Sequence, residues 1–158
     1  MSNGVTMTKI DHDKFEVRVM KQDDLQAIID IDARVTGSER IEYYEKKIAM
    51  MLDERGQITT SLVGEESGHV IGFIMGNVYM GEFGIPGHTA SLDTIGIDPD
   101  YAGSGVGTLL LDEFIRHVKT IGVDNIQTLV DWKDIPLIRF FNRGGFTPST
   151  KLNLEKKL

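Results

Sequence analysis

The run Asp98-Pro-Asp-Tyr-Ala-Gly-Ser-Gly-Val-Gly-Thr-Leu-Leu-Leu111 constrains this chain more than any other stretch. It follows a predicted strand over Leu92–Ile97, places Gly103, Gly105 and Gly107 within five residues, and passes into an amphipathic pattern. Glycine permits the tight turn and lets another group approach the main chain closely. A helix start leaves amides unpaired, and the helix dipole favours negative charge there. Residues 102–108 therefore read as a pyrophosphate cradle built from main-chain amides.

The flanking sequence places this turn in an alternation of strands and helices. Phe15–Val19 reads as a strand. A helix from Asp23 or Asp24 to Arg34 would bury Leu25, Ile28 and Ile29; Thr36-Gly37 breaks it, and Ser38 would cap a second helix carrying Ile41, Tyr44, Ile48, Met51 and Leu52 up to Arg55-Gly56. Ile58–Glu65 and His69–Tyr79 are expected strands joined at Glu66-Ser67-Gly68, a hairpin signal. Met80–Gly87 is a glycine-rich loop, and His88–Ile97 is the next strand. After the glycine turn, a helix to Ile121 carries Val106, Leu110, Phe114 and Val118 in one stripe. Asn125–Val130 is a short strand, and Asp134 caps a helix with Pro136 in its first turn, ending at Gly144-Gly145. Phe146–Pro148 and Lys151–Glu155 are expected as closing strands, giving the order β-α-α-β-β-β-α-β-α-β-β.

Composition excludes several classes. At 158 residues the chain suits a single domain, read as 15–158 after a flexible polar lead-in at 1–14. The net charge of −7 without a basic block argues against nucleic acid or an anionic membrane surface as partner. There is no cysteine, which removes disulfides, thiolate catalysis and Cys-ligated zinc. His12, His69, His88 and His117 lack metal-ligand spacing, so no metal is expected. No stretch approaches the roughly 20 apolar residues of a membrane span, and Met1–Lys14 has no apolar signal region. The cytoplasm is the default compartment.

The glycine spacing separates the known phosphate turns. A dinucleotide fingerprint needs G-x-G-x-x-G after the first strand, and a Walker loop needs Gly-Lys-Ser/Thr. Here the spacing is G-x-G-x-G, two-thirds along the chain, and Gly107 precedes Thr108 without a lysine. Ala102-Gly-Ser-Gly-Val-Gly107 resembles instead the Gln/Arg-x-x-Gly-x-Gly/Ala loop of the GNAT superfamily of acyl-CoA-dependent N-acyltransferases, with Ala102 in place of Gln or Arg. Asp134-Ile-Pro-Leu-Ile-Arg-Phe-Phe-Asn-Arg-Gly-Gly-Phe146 resembles that superfamily's later motif, Asn-x-x-Ala-x-x-x-Tyr-x-x-x-Gly-Phe, with Phe141 at the tyrosine. The resemblance covers residues 15–155. It implies an α/β (α+β) fold with a mixed central sheet of about seven strands flanked by four helices.

The resemblance also implies a chemistry. Acetyl-CoA would be the co-substrate, its pyrophosphate on Ala102, Gly103, Ser104, Gly105, Val106, Gly107 and Thr108, with Asp134 and Phe141 from the later motif. Its pantetheine would pair with the strand edge at Ile95, Gly96 and Ile97, where an amide would polarise the thioester carbonyl. An amine-bearing acceptor would attack directly, in agreement with the lack of cysteine. Phe141 has no proton for the leaving thiolate, so CoA would leave as thiolate or be protonated by water or another residue. Strand parity puts Ser91, Asp93, Ile95 and Ile97 on one face. Asp93 is the first candidate to accept the amine's proton and Asp131 the second. Asp93 fits a plain hydrogen bond to a neighbouring strand equally well, and Asp131 fits a turn anchor better than a base. Glu82 and His88 border the loop after the third strand, and Phe83 and Trp132 are candidate pocket aromatics; surface and packing roles account for all four more simply. Asp30, Asp32, Glu39, Glu42 and Glu45 make the first two helices acidic, suiting a cationic acceptor or merely a solvated face. The superfamily often dimerises through C-terminal strands, which points to a homodimer involving Lys151–Leu158. A non-catalytic acyl-CoA-binding module on the same fold and a nucleotide-binding domain are the alternatives.

Overall fold

The computed structural model describes residues 8–51, 60–79 and 88–158. Among these, five strands form one sheet: β1 (Phe15–Val19), β2 (Leu62–Glu66), β3 (His69–Tyr79), β4 (Thr89–Ile97) and β5 (Asn125–Thr128) lie side by side in chain order. The first four pair antiparallel, and β5 joins β4 in parallel. A parallel pair needs a crossover, which the glycine turn and helix α3 (Val106–Thr120) supply. Helices α1 (Leu25–Thr36), α2 (Ile41–Met51) and α4 (Ile135–Arg143) complete the described elements. Ser67 and Gly68 both have positive φ, 50° and 83°, the two-residue turn whose twist suits the β2–β3 hairpin.

Strand alternation feeds two cores. On one face Leu62, Ile74, Ala90 and Leu92 pack under α3, whose Val106, Leu110, Phe114 and Val118 are fully buried. Their spacing of four residues aligns them on one side of a helix, and each contributes roughly 1.5–3 kcal/mol by burial. On the other face Val63, Phe73 and Met75 meet Ile28, Ile29 and Ile31 of α1 and Tyr44 and Ile48 of α2. Arg40 forks onto Asp32 with contacts of 2.8 and 2.6 Å, joining α2 to α1. Burial works against the Asp32 charge, but Arg40 outweighs it and holds the carboxyl below its ordinary range. Arg18 makes the equivalent tie to Asp24 and Glu65.

The expected sheet of about seven strands is corrected to five among the described residues. Phe146–Pro148 and Lys151–Glu155 form no strand. Phe146 turns back onto α4, its ring centroid 5.1 Å from that of Phe141, while Leu152 and Leu154 are 88% and 89% exposed. Alternating leucines do not make a strand without a neighbour to satisfy the backbone, and no described element pairs with 147–158. Residues 8–14 of the expected lead-in lie on the sheet: Ile10 is buried in the α3-side core, and the Asp11 amide donates to Glu66 Oε1 at 2.6 Å. The start of the expected Ile58 strand, the Leu52–Gly56 helix end and the Met80–Gly87 loop lie outside the described residues.

Candidate active site

The chain leaves β4 at Ile97 into a tightly braced turn. Asp98 Oδ1 accepts the Asp100 amide at 2.9 Å. The Arg34 guanidinium of α1 reaches Asp98 at 2.7 Å and Asp100 at 3.0 Å. The Tyr101 hydroxyl donates to Glu66 Oε2 at 2.7 Å, so the turn is tied to α1 on one side and β2 on the other. The Asp11 amide, then Tyr101, hold the Glu66 carboxyl below its usual range. Gly103 and Gly105 have φ of 76° and 94°, the left-handed region that disfavours a side chain. Gly105 is the residue before α3 and has no side chain to cap it. The first-turn amides are thus left for an anion.

Between this turn, β4 and α4 lies a cleft of about 440 Å3. Ile95 and Ile97 floor it, Tyr101–Gly103 and Gly105–Thr108 form one wall, and Leu137, Phe140 and Arg143 of α4 form the other. A Cβ on Gly107 would stand 3.3 Å from the Phe140 ring, so the glycine permits the close approach of the two walls. Ser104 lies within the cradle but turns inward, its hydroxyl donating to the Tyr101 carbonyl at 2.5 Å.

Just before Ile95, β4 carries a bulge. Met75 pairs with Thr94 and Gly76 with Leu92, so Asp93 is an extra residue on β4. The bulge corrects the expected parity: Ile95 and Ile97 join Ala90 and Leu92 on the α3 side, whereas Asp93 turns toward α2. There Asp93 Oδ2 accepts from Lys47 Nζ and Asn77 Nδ2, both at 2.8 Å, and Oδ1 accepts from Ser91 Oγ at 2.8 Å. Burial opposes the Lys47 charge, but the Asp93 hydrogen bond and field outweigh it and raise the Lys47 pKa. The Asp93 side chain is only 21% exposed although the residue as a whole is exposed, so its open part is main chain. Pairing between β4 and β5 ends at Leu92 and Thr128, where Thr128 Oγ1 donates to the Leu92 carbonyl at 2.8 Å. Beyond this point the two strands part, and the β4 edge along Ile95–Ile97 faces no strand among the described residues.

Residues 23–146 match the model of the acetyltransferase (GNAT) family. The chain belongs to that family. Solved structures of similar fold include the aminoglycoside N-acetyltransferase AAC(6')-Iy in complex with CoA, at 14% identity and a TM-score of 0.75, covering 90% of this chain and 94% of the other. The ribosomal-protein-S18-alanine N-acetyltransferase from Escherichia coli is 24% identical with a TM-score of 0.71, covering 86% and 79%. A transcriptional regulator from Bacillus halodurans C-125 is 16% identical with a TM-score of 0.73, covering 91% and 99%.

Within this GNAT fold the expected site residues divide. Ile95, Ile97, Ala102, Gly103, Gly105, Val106, Gly107 and Thr108 meet at the cleft. Gly96 is buried on the opposite face, where a Cβ would stand 2.5 Å from the Phe73 ring. Asp134 caps α4, accepting the Leu137 amide at 3.1 Å. Phe141 is 4% exposed within the core, and Phe140 lines the cleft in its stead. Asp131 accepts the Lys133 amide at 2.9 Å and anchors the turn before α4. Trp132 is exposed with Lys133 over its ring. His88 sits at the start of β4, the end remote from the cradle, its carbonyl accepting the Asp124 amide. Glu82 and Phe83 lie outside the described residues. Sequence reasoning missed Lys47 and Asn77, which hold Asp93, and Leu137, Phe140 and Arg143. The last three carried a signal, since successive spacings of three put them on one face of α4.

Proposed function

We propose that this chain transfers an acetyl group from acetyl-CoA to a primary amine by direct attack within a ternary complex. The observation that carries the reading is the cleft itself: glycines that admit a ligand to the main chain lie on one wall, and an unpaired strand edge lies at its floor. These features fit acetyl-CoA, which would supply an activated thioester carbonyl. Main-chain amides of 103–108 would hold the pyrophosphate, and the β4 edge at Ile95–Ile97 would order the pantetheine. A β4 amide beside the bulge would polarise the carbonyl. Asp93 follows Leu92, where the β4–β5 pairing ends, and is assigned the amine's proton. Asp131, which accepts the Lys133 amide in the turn before α4, is the second candidate. Phe141 has no proton to give, so CoA leaves as thiolate or takes a proton from water.

The acceptor is an amine of small-molecule or protein origin. Exposed Glu39, Glu42 and Glu45 near the start of α2 suit a cationic one. Among the described residues no helix is long and apolar enough to cross a membrane and no acidic or histidine cluster suits a metal. The compartment we propose is the cytoplasm. We also assign it a homodimer in which exposed 151–158 finds the strand partner it lacks among the described residues.

A second reading is an acyl-CoA-binding module without catalysis, favoured by Ala102 and by the burial of Phe141. Calorimetry with acetyl-CoA and CoA, followed by thiol release across an amine panel, decides between them. Absence of binding at millimolar CoA overturns both; tight binding without turnover on any amine selects the second.

A further inference from the structure

We infer that Arg143 is a phosphate ligand, closing on the acetyl-CoA pyrophosphate from the wall opposite the glycine turn; this rests on the acetyl-CoA reading above. Ala102 brings only a methyl group to the entry of the cradle. Among the side chains lining the cleft, Arg143 is the one that carries a charge. It is exposed, and among the described residues it has no ion-pair or hydrogen-bond partner. By contrast Arg18, Arg34, Arg40 and Arg116 each hold a carboxylate. Arg34 in particular occupies Asp98 and Asp100, the acidic groups at the cradle entrance. A chain of net charge −7 repels a polyanion at long range, so a free guanidinium inside an otherwise uncharged cleft has an evident counterpart there.

The placement follows from α4. Phe140 approaches Gly107 of the first α3 turn closely enough that a Cβ would stand 3.3 Å away. Arg143 is three residues further along the same face, about 4.5 Å along the helix axis. It therefore stands across the cleft from the amides that would hold the pyrophosphate, and a guanidinium fork suits two phosphate oxygens. An arginine in the last turn of α4 also complements the helix dipole, but that role depends on no ligand.

The experiment uses the full chain and titration calorimetry with CoA, dephospho-CoA and pantetheine. Arg143→Ala should weaken CoA and dephospho-CoA alike by about 10–100-fold and leave pantetheine unchanged, with Arg143→Lys recovering part of the loss. Arg139→Ala removes the same charge from the same helix at a position outside the cleft and should change each affinity less than about twofold. Unchanged CoA affinity in Arg143→Ala overturns the inference. A loss confined to CoA overturns the pyrophosphate assignment, and an equal loss of pantetheine shows a purely structural role. If wild-type protein binds neither CoA nor dephospho-CoA, the acetyl-CoA reading fails and the inference with it.

Discussion

Replacing Gly76 by alanine tests whether the β4 bulge depends on a missing side chain. The added Cβ would stand 2.6 Å from the Ser91 carbonyl oxygen and 2.6 and 2.8 Å from two atoms of the Phe114 ring. Favourable carbon contacts lie at about 3.5–4.0 Å. Neither obstacle yields easily, since Ser91 belongs to the β4 backbone and Phe114 is fully buried. Overpacking costs about 1–3 kcal/mol, and two rigid neighbours put this case near 3 kcal/mol. At about 2–4 °C per kcal/mol for a chain of this size, Tm should fall by about 6–12 °C. Gly68→Ala is the control: its φ is 83° with nothing within 4 Å, so it carries only backbone strain of about 1 kcal/mol. Gly76 pairs with Leu92 beside the Asp93 bulge, so the displaced β4 should also bind CoA more weakly than the Gly68→Ala protein does. Scanning calorimetry and CoA titration read both effects. A Gly76→Ala protein that melts no lower than Gly68→Ala would refute the packing argument.

Three further outcomes are expected. Asp93→Asn should lower kcat by about 100–10,000-fold and remove the acidic limb of its pH profile, with CoA affinity unchanged; an unaltered profile takes Asp93 out of the proton transfer. Asp32 has a folded-state pKa below its unfolded value near 3.9, so it contributes stability above about pH 4 that is lost as pH falls through the lowered folded value. Asp32→Asn should therefore cost about 1–2 kcal/mol at pH 7, moderated because Arg40 is 41% exposed, and much less near pH 2 in urea unfolding; equal losses at both pH values contradict this. Deleting 147–158 should halve the mass seen by light scattering, and a wild-type protein of single-chain mass rules out the homodimer.

Much of the fold was legible because its signals are local. The α3 stripe, the hairpin turn at Ser67-Gly68 and the capping of α4 by Asp134 each need only a few neighbouring residues, and all three stand in the structure. The closing strands were illegible for the opposite reason. Leu152 and Leu154 alternate as strand residues do, yet a strand exists only where another edge accepts it. Asp93 shows the same limit within the site. Strict alternation puts it beside Ile95, but one extra residue opposite Gly76 reverses the parity and delivers it to Lys47. Nothing in the local pattern of β4 announces that bulge; it is visible only when Gly76 is set against Phe114 and Ser91.

By itself, then, the sequence determined the glycine turn. Positive φ at Gly103 and Gly105 and uncapped amides at Val106–Thr108 are properties of a short segment and its residue types. Tertiary structure decided what stands across from that turn: Phe140 and Arg143 rather than Phe141 in the cleft, and Asp93 on the α2 side of the sheet. Those choices depend on how α4 rolls onto the core and where β4 gains a residue against β3. Both are set by packing between segments far apart in the chain, so no window of sequence contains them.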